Sequence, residues 1–215
     1  APAASNFENA GSDPIDFAQN LPLLAIAGFG QANDAMTPLH MCMVASTVAN
    51  GGKMMTPYVV AGTTDHSGRV LDRAQPSVWR NPISLFTASV LNQLMVGVVA
   101  NGTGKPMQLA NGVQAAAKTG TAQVISNEGR IAAGRTGKDL RDNGWFVFFA
   151  PRDNPEIAGV VFLEHGMHGP NAASVAHHIL ETYFAKKDGK PLPPAPTPAS
   201  MRFDFTDPFW TPPRP

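Results

Sequence analysis

The chain has 215 residues, 43% of them apolar and only 15% charged, and its 16 basic and 16 acidic side chains cancel. That length suits one domain with a sizeable core, and the absence of a basic excess argues against a nucleic-acid partner. The single cysteine, Cys42, excludes an intramolecular disulfide.

No apolar run reaches the roughly 18 residues that cross a membrane. The start, APAASNFENAGSDPID, lacks the basic head and apolar core of an export signal, so any membrane anchor is expected outside this chain. Residues 1 to 20 read as a polar, turn-rich segment. LPLLAIAGFGQ follows as a short apolar run ending in glycines. In TPLHMCMVASTVANGG, Thr37 suits a helix N-cap, Pro38 the first helical position and Gly51 the stop. Its interior, Leu39 to Ala49, is apolar almost all round, which predicts a helix buried in a core. KMMTPYVV is strand-like, with Pro57 favouring an edge or a strand end, and DHSGRV reads as a turn. SLFTASVLNQLMVGVVANGTG predicts a second helix with Leu91, Leu94, Met95 and Val98 facing inward.

Three strands are predicted next, at residues 113 to 125, 145 to 150 and 157 to 164. WFVFFA and IAGVVFLE are near-continuous apolar runs, as in strands covered on both faces. PRDNPE has hairpin length, whereas SNEGRIAAGRTGKDLRDN reads as a long exposed loop. NAASVAHHILETYF predicts a last helix, with Ala176, Ile179, Leu180 and Tyr183 inward. Proline enrichment over residues 191 to 215 predicts an extended tail without regular structure, leaving residues 1 to 190 as the folded portion. The order of elements predicts an α/β (α+β) fold, an antiparallel sheet covered by helices.

The chemically informative stretch is AAAKTGTAQV, residues 115 to 124. Alanine and glycine are poor strand residues, and small side chains make sense where something must lie against the strand. Gly120 admits a ligand backbone, Thr119 offers a hydroxyl that donates and accepts, and Lys118 offers a charge for a carboxylate. Strand N–H groups can donate to a developing oxyanion.

KTGTAQV resembles the third-motif strand of penicillin-binding transpeptidases. GFGQANDAMTPLHMCMVASTVANGG resembles the Gly-Gln turn, Thr-Pro-Leu helix start and Ala-Asn-Gly-Gly helix end of the same family. GWFVFFAPRDNPEIAGVVFLEHG resembles its next two strands. The ordered likeness runs from about Leu21 to Phe184 and is strongest to monofunctional class B, actinobacterial-like members. It implies the penicillin-binding and serine β-lactamase-like fold and a peptidoglycan D,D-transpeptidase, whose serine attacks the D-Ala-D-Ala stem peptide and is acylated by β-lactams. By position, Lys118, Thr119, Gly120 and Thr121 would bind substrate, and the Thr121 backbone N–H would be an oxyanion donor. The implied partners are peptidoglycan stem peptides, β-lactam antibiotics, the upstream half of the domain and a membrane glycosyltransferase, at the extracytoplasmic face of the bacterial membrane. No cofactor is implied.

None of Ser5, Ser12, Ser46, Ser67, Ser77, Ser84, Ser89, Ser126, Ser174 and Ser200 is followed by lysine three positions on or by asparagine two positions on. The nucleophile motif Ser-x-x-Lys and the Ser-x-Asn motif are therefore absent from these residues. Ser126, just beyond the strand, has no identifiable base. The chain is expected to be the C-terminal part of a transpeptidase domain, with two of the family's five central strands supplied from upstream, and to be inactive alone. The alternatives are a non-catalytic binding or scaffold module of the same fold, or part of a serine β-lactamase or D,D-carboxypeptidase.

Other motifs read as structural. Glu164, His165 and His168 are metal-ligand types, but a loop after a strand does not fix their geometry, and no metal site is expected. His177 and His178 share a helix, one facing solvent and the other a neighbouring element. NGTGKP lacks phosphate-loop spacing and reads as a helix stop. Cys42 reads as a buried thiol, and Met41, Met43 and Met95 as core filler. Trp145 and Phe146 read as core residues beside the binding strand, with substrate lining as a further role for either.

Overall fold

A computed structural model describes residues 21–31, 35–124, 141–201 and 203. Most of the predicted loop after the KTG strand, including Ser126, and the first 20 residues lie outside the described residues, as does about half of the proline-rich tail; the loop's last residue, Asn143, begins a strand.

Helix α1 spans Leu21–Ala27 and α2 spans Pro38–Ala49. Thr37 caps α2 as predicted, its hydroxyl accepting from the His40 N–H at 3.2 Å. Helix α2 ends at Asn50, and Gly51 and Gly52 then take φ of 63° and 96°. The chain continues through four short strands, β1 Met54–Met55, β2 Gly62–Thr64, β3 Val70–Arg73 and β4 Val78–Arg80, paired antiparallel as β1–β4 and β2–β3. Strand β1 stops before Pro57, and DHSGRV is the turn that joins β2 to β3. The three short strands after β1 carry too little apolar alternation to be legible in sequence.

Helix α3, Leu85–Ala100, is capped by Ser84, and a single 3-10 turn, Lys105–Met107, follows it. Strands β5 Ala116–Ala122, β6 Asn143–Ala150 and β7 Ile157–Leu163 form the main sheet in the order β5-β6-β7. The register sets Gly120 opposite Trp145 and Phe148 opposite Gly159. Helix α4, Gly169–Lys187, crosses one face of this sheet, and α2 lies on the other. Beyond α4, residues 190 to 197 have no regular structure, and α5 is the single turn Pro198–Met201.

Side-chain alternation divides the core between the two faces. On the α4 face, Ala115, Ala117, Phe146, Phe148 and Ala150 pack against Ala172, Ala173, Ala176, Leu180 and Phe184. On the α2 face, Ala116 and Phe149 pack with Val48, flanked by Leu91 and Met95 of α3. Phe146, Phe148, Phe149, Met107 and Leu180 are fully buried. Each contributes about 1.5–3 kcal/mol of burial. Strand β6, central and covered on both faces, has the composition expected of it.

Three inward faces differ from expectation. Helix α2 is apolar all round but not buried all round: Met43, Ala45, Thr47 and Val48 are covered, whereas Leu39 and Val44 are exposed. Thr47 takes its buried place by donating to the Met43 carbonyl at 2.7 Å. In α3 the covered stripe runs through Ala88, Leu91, Met95 and Val99, leaving Leu94 64% exposed. In α4 it runs through Ala172, Ala176, Leu180 and Phe184, leaving Ile179 exposed. Ala88 and Ala172 belong to these buried stripes although they are small, and the expected stripes of α3 and α4 do not include them.

Candidate functional site

Among the described residues strand β5 lies at the edge of its sheet, and its two halves meet different surroundings. Ala115, Ala116 and Ala117 are at most 4% exposed, beneath α3 and α4. Their small size therefore serves close helix packing, not the ligand approach expected from sequence. The second half, from Lys118 to Ala122, opens into a cleft of about 860 Å³, within the range of small-ligand sites. Phe29, Met36, Met41 and Val44 line its apolar wall, and Trp145 forms part of its floor.

All four sequence-predicted site residues, Lys118, Thr119, Gly120 and Thr121, line this cleft. Lys118 is exposed, and its Nζ donates to the Thr119 carbonyl at 2.5 Å. Gly120 has Trp145 as its cross-strand neighbour, and a Cβ built there would stand 3.2 Å from the Trp145 Cβ. The Trp145 ring stacks on Phe162 with centroids 4.6 Å apart. Trp145 thus joins the cleft, whereas Phe146, on the opposite face, is wholly buried in the core.

Three contacts were not foreseen from sequence. Gln31 reaches across from the Gly-Gln turn: its Nε2 donates to the Thr121 carbonyl at 2.7 Å, and its Oε1 accepts from the Gln123 N–H at 3.1 Å. One carboxamide thus stands where a neighbouring strand would place a peptide unit. An antiparallel strand residue directs its N–H and C=O to the same side, so the Thr121 N–H also faces the open edge. Next, Thr103 from the NGTGKP segment lies 2.7 Å from Thr119, hydroxyl to hydroxyl. The segment does stop α3, as expected, but it also reaches the site. Third, Gly169 at the start of α4 seats directly on β5, where a Cβ would meet the Thr119 Cβ at 2.7 Å and the Gly120 N and O at 2.9 Å. His168 and Pro170, on either side of it, line the cleft.

Of the remaining candidates, only His168 and Met41 reach the cleft. The His165 N–H donates to Asn143 Oδ1 at 3.0 Å, which pins the loop leading into α4. Among the described residues, no group of three or more His, Cys, Asp and Glu side chains is placed to hold a metal, so Glu164, His165 and His168 are not gathered into a site. His177 pairs with Glu181 at 3.2 Å along α4. Cys42 is half-buried, its Sγ 3.8 Å from the Ala158 carbonyl. Burial pushes its thiol pKa up, opposed by a hydrogen bond with Ser46. Met43 and Met95 fill core as expected, while Met41 lines the cleft.

Residues 5–181 match the model of the penicillin binding protein transpeptidase domain. The chain is 31% identical over 169 residues to the peptidoglycan D,D-transpeptidase MrdA of Haemophilus influenzae, covering 74% of this chain and 25% of the relative. It is 30% identical over 164 residues to the peptidoglycan D,D-transpeptidase PbpA of Mycobacterium tuberculosis, covering 74% of this chain and 31% of that one. It therefore spans about a quarter to a third of the length of these relatives. The imipenem acyl-enzyme complex of M. tuberculosis penicillin-binding protein A superposes with a TM-score of 0.66 at 29% identity, covering 85% of this chain and 37% of that one. Mixed helices, an antiparallel sheet and these neighbours agree on the penicillin-binding and β-lactamase-like fold. The chain belongs to the penicillin-binding protein transpeptidase domain family.

Proposed function

We propose that β5 is the ligand-binding edge of a peptidoglycan D,D-transpeptidase site whose nucleophile lies on residues outside this chain. The observation that carries this reading is the open half-edge of β5, which presents Lys118, Thr119, Gly120 and Thr121 together to one cleft. An extended peptide that adds to such an edge gains main-chain hydrogen bonds and places its own groups against the strand's side chains. A stem peptide ending in D-Ala-D-Ala would set its carboxylate near Lys118 and Thr119. The scissile carbonyl would then lie at the Thr121 N–H, whose donation stabilises negative charge as it develops on the carbonyl oxygen. Gly120, without a side chain, leaves room between them.

The M. tuberculosis relative has been captured as imipenem, ceftriaxone and penicillin G acyl-enzymes, which supports a β-lactam as the second ligand class. A serine acyl-enzyme needs a nucleophile activated by a neighbouring base. None of the serines in this sequence stands in a Ser-x-x-Lys motif, so these 215 residues alone form no acyl-enzyme. The complete site would work at the extracytoplasmic face of the bacterial membrane, with the upstream half of the domain as its first partner and a membrane glycosyltransferase as a further one.

The test is to express the complete reading frame that encodes these residues and treat it with a fluorescent penicillin. Label that survives denaturation is expected, with the rate lowered roughly tenfold or more by Lys118→Ala. The 215-residue chain alone should take no label. Labelling of that chain by itself, or labelling of the complete protein indifferent to Lys118, would refute the proposal. A complete frame lacking Ser-x-x-Lys and Ser-x-Asn would favour a non-catalytic module instead.

A further inference from the structure

The segment Asn101-Gly102-Thr103-Gly104 does more than end α3. The Gly102 and Gly104 N–H groups both donate to the Val98 carbonyl, at 3.1 and 2.9 Å. A Cβ on Gly102 would stand 3.0 Å from that oxygen, and one on Gly104 would stand 3.1 Å from it. Glycine on both sides thus lets the chain fold tightly over the last turn of α3. The residue held between them, Thr103, is exposed, lines the cleft and meets the Thr119 hydroxyl at 2.7 Å.

We propose that Thr103 is a positioning residue for recognition of a ligand carboxylate at Thr119, an assignment that rests on the reading of β5 as a ligand edge. Each hydroxyl carries one proton, and the contact between them uses one. With Thr103 as the donor, the Thr119 O–H is left for the cleft, polarised by the bond that its oxygen accepts. The pair's outward donor needs an acceptor, and a carboxylate offers only acceptors. The Lys118 amine, bonded to the carbonyl of the same Thr119, supplies the positive charge beside it. Thr103 therefore fixes the Thr119 rotamer and aims a single donor at the position that Lys118 makes favourable for an anion.

The experiment uses the full 215-residue chain, 15N-labelled. It is titrated with a diacetylated Lys-D-Ala-D-Ala tripeptide bearing a free C-terminal carboxylate, and with the same tripeptide as its C-terminal amide. Amide shifts of Thr119, Gly120 and Thr121 report binding. The wild-type chain should prefer the carboxylate form. Thr103→Val, nearly isosteric and at an exposed position, should weaken the carboxylate form about threefold to tenfold and leave the amide form within about twofold. Thr103→Ser should bind as wild type, and Thr103→Ala should repeat the valine result without its branched side chain. Equal weakening of both ligand forms in the valine and alanine variants, or no weakening of either, overturns the role of Thr103 and leaves the ligand edge standing. A wild-type chain that does not prefer the carboxylate form overturns the ligand-edge reading and this inference with it.

Discussion

The seat of α4 on β5 makes a sharp energetic prediction, because the contact has no slack. Gly169 is buried, and a methyl group there would stand 2.7 Å from the Thr119 Cβ and 2.9 Å from the Gly120 N and O. Carbon atoms in ordinary contact sit about 3.5–4.0 Å apart, so the start of α4 would have to retreat by about 0.8 Å. The obstructing atoms are backbone and the Cβ of a β-branched strand residue, and none can swing aside. Overpacking of this kind costs about 1–3 kcal/mol. The helix preference for alanine over glycine returns at most about 1 kcal/mol, and less at a first helical position. Gly169→Ala is therefore expected to destabilise the chain by about 1–2 kcal/mol, lowering Tm by roughly 2–8 °C for a chain of this size.

Gly97 supplies the opposite case on the same principle. It lies inside α3, exposed, with nothing within 4 Å of a built Cβ. Gly97→Ala should stabilise by about 0.5–1 kcal/mol, through helix propensity and a less flexible unfolded chain. Urea unfolding followed by far-UV circular dichroism measures both variants. A Gly169→Ala variant as stable as wild type, beside a Gly97→Ala variant that gains stability, would refute the reasoning. Helix α4 would then not be seated on the KTG strand.

Removing Gln31 should unmask one end of the open edge. In Gln31→Ala the Gln123 amide loses its acceptor and should exchange with solvent about fivefold faster, whereas Gln31→Glu keeps that acceptor and should hold the wild-type rate. Equal exchange in all three chains would mean that the carboxamide does not cap the strand. A second expectation concerns Asp65 in the β2–β3 turn. A hydrogen bond from the Ser67 hydroxyl, at 2.6 Å, is the main cause that holds its carboxyl pKa below the ordinary value, helped by the Ser67 and Arg69 N–H groups and the Arg69 guanidinium. A depressed folded pKa means the contribution is complete above the unfolded value of about 3.9 and is lost as pH falls through the folded one. The Ser67 and Arg69 amide shifts should accordingly titrate with a midpoint below about 3.9, and a midpoint at or above it would show that these bonds do not favour the charged form.

Much of the fold was legible because its elements carry redundant signals. Helix α2 has a cap, a proline and a glycine stop, and β6 is an unbroken apolar run long enough for a central strand. The helix faces were less legible, because Leu94 and Ile179 are as apolar as the residues that are buried, and Ala88 and Ala172, though buried, carry too little apolar surface to mark the covered stripe. Of the site, KTG was readable as three adjacent residues with complementary chemistry. The partners of that strand were not: Gln31 lies 90 residues from Thr121, and Thr103 lies 16 from Thr119. The one signal for Thr103 was its pair of flanking glycines, which sequence reading spent on the helix stop.

On the proposed reading, the open edge of β5 has to meet two opposed demands. A strand edge that binds an extended ligand also invites another chain to pair with it. Among the described residues, α3 covers the first half of β5 and the half beyond Ala117 is left open. On that half three of the bonding groups already have side-chain partners. The Lys118 amine takes the Thr119 carbonyl, and the Gln31 carboxamide takes the Thr121 carbonyl and the Gln123 N–H. Each such bond, made by an exposed side chain, contributes only about 1 kcal/mol net. A ligand that supplies main-chain bonds of its own can therefore displace them one at a time, at little cost. Another strand gains less, because it meets an edge of only a few residues whose Thr119 and Thr121 carbonyls and Gln123 N–H are already bonded, and which bears a lysine charge. On that reading, the same side chains that discourage unwanted pairing would leave the edge exchangeable for a short peptide with a carboxylate at its end.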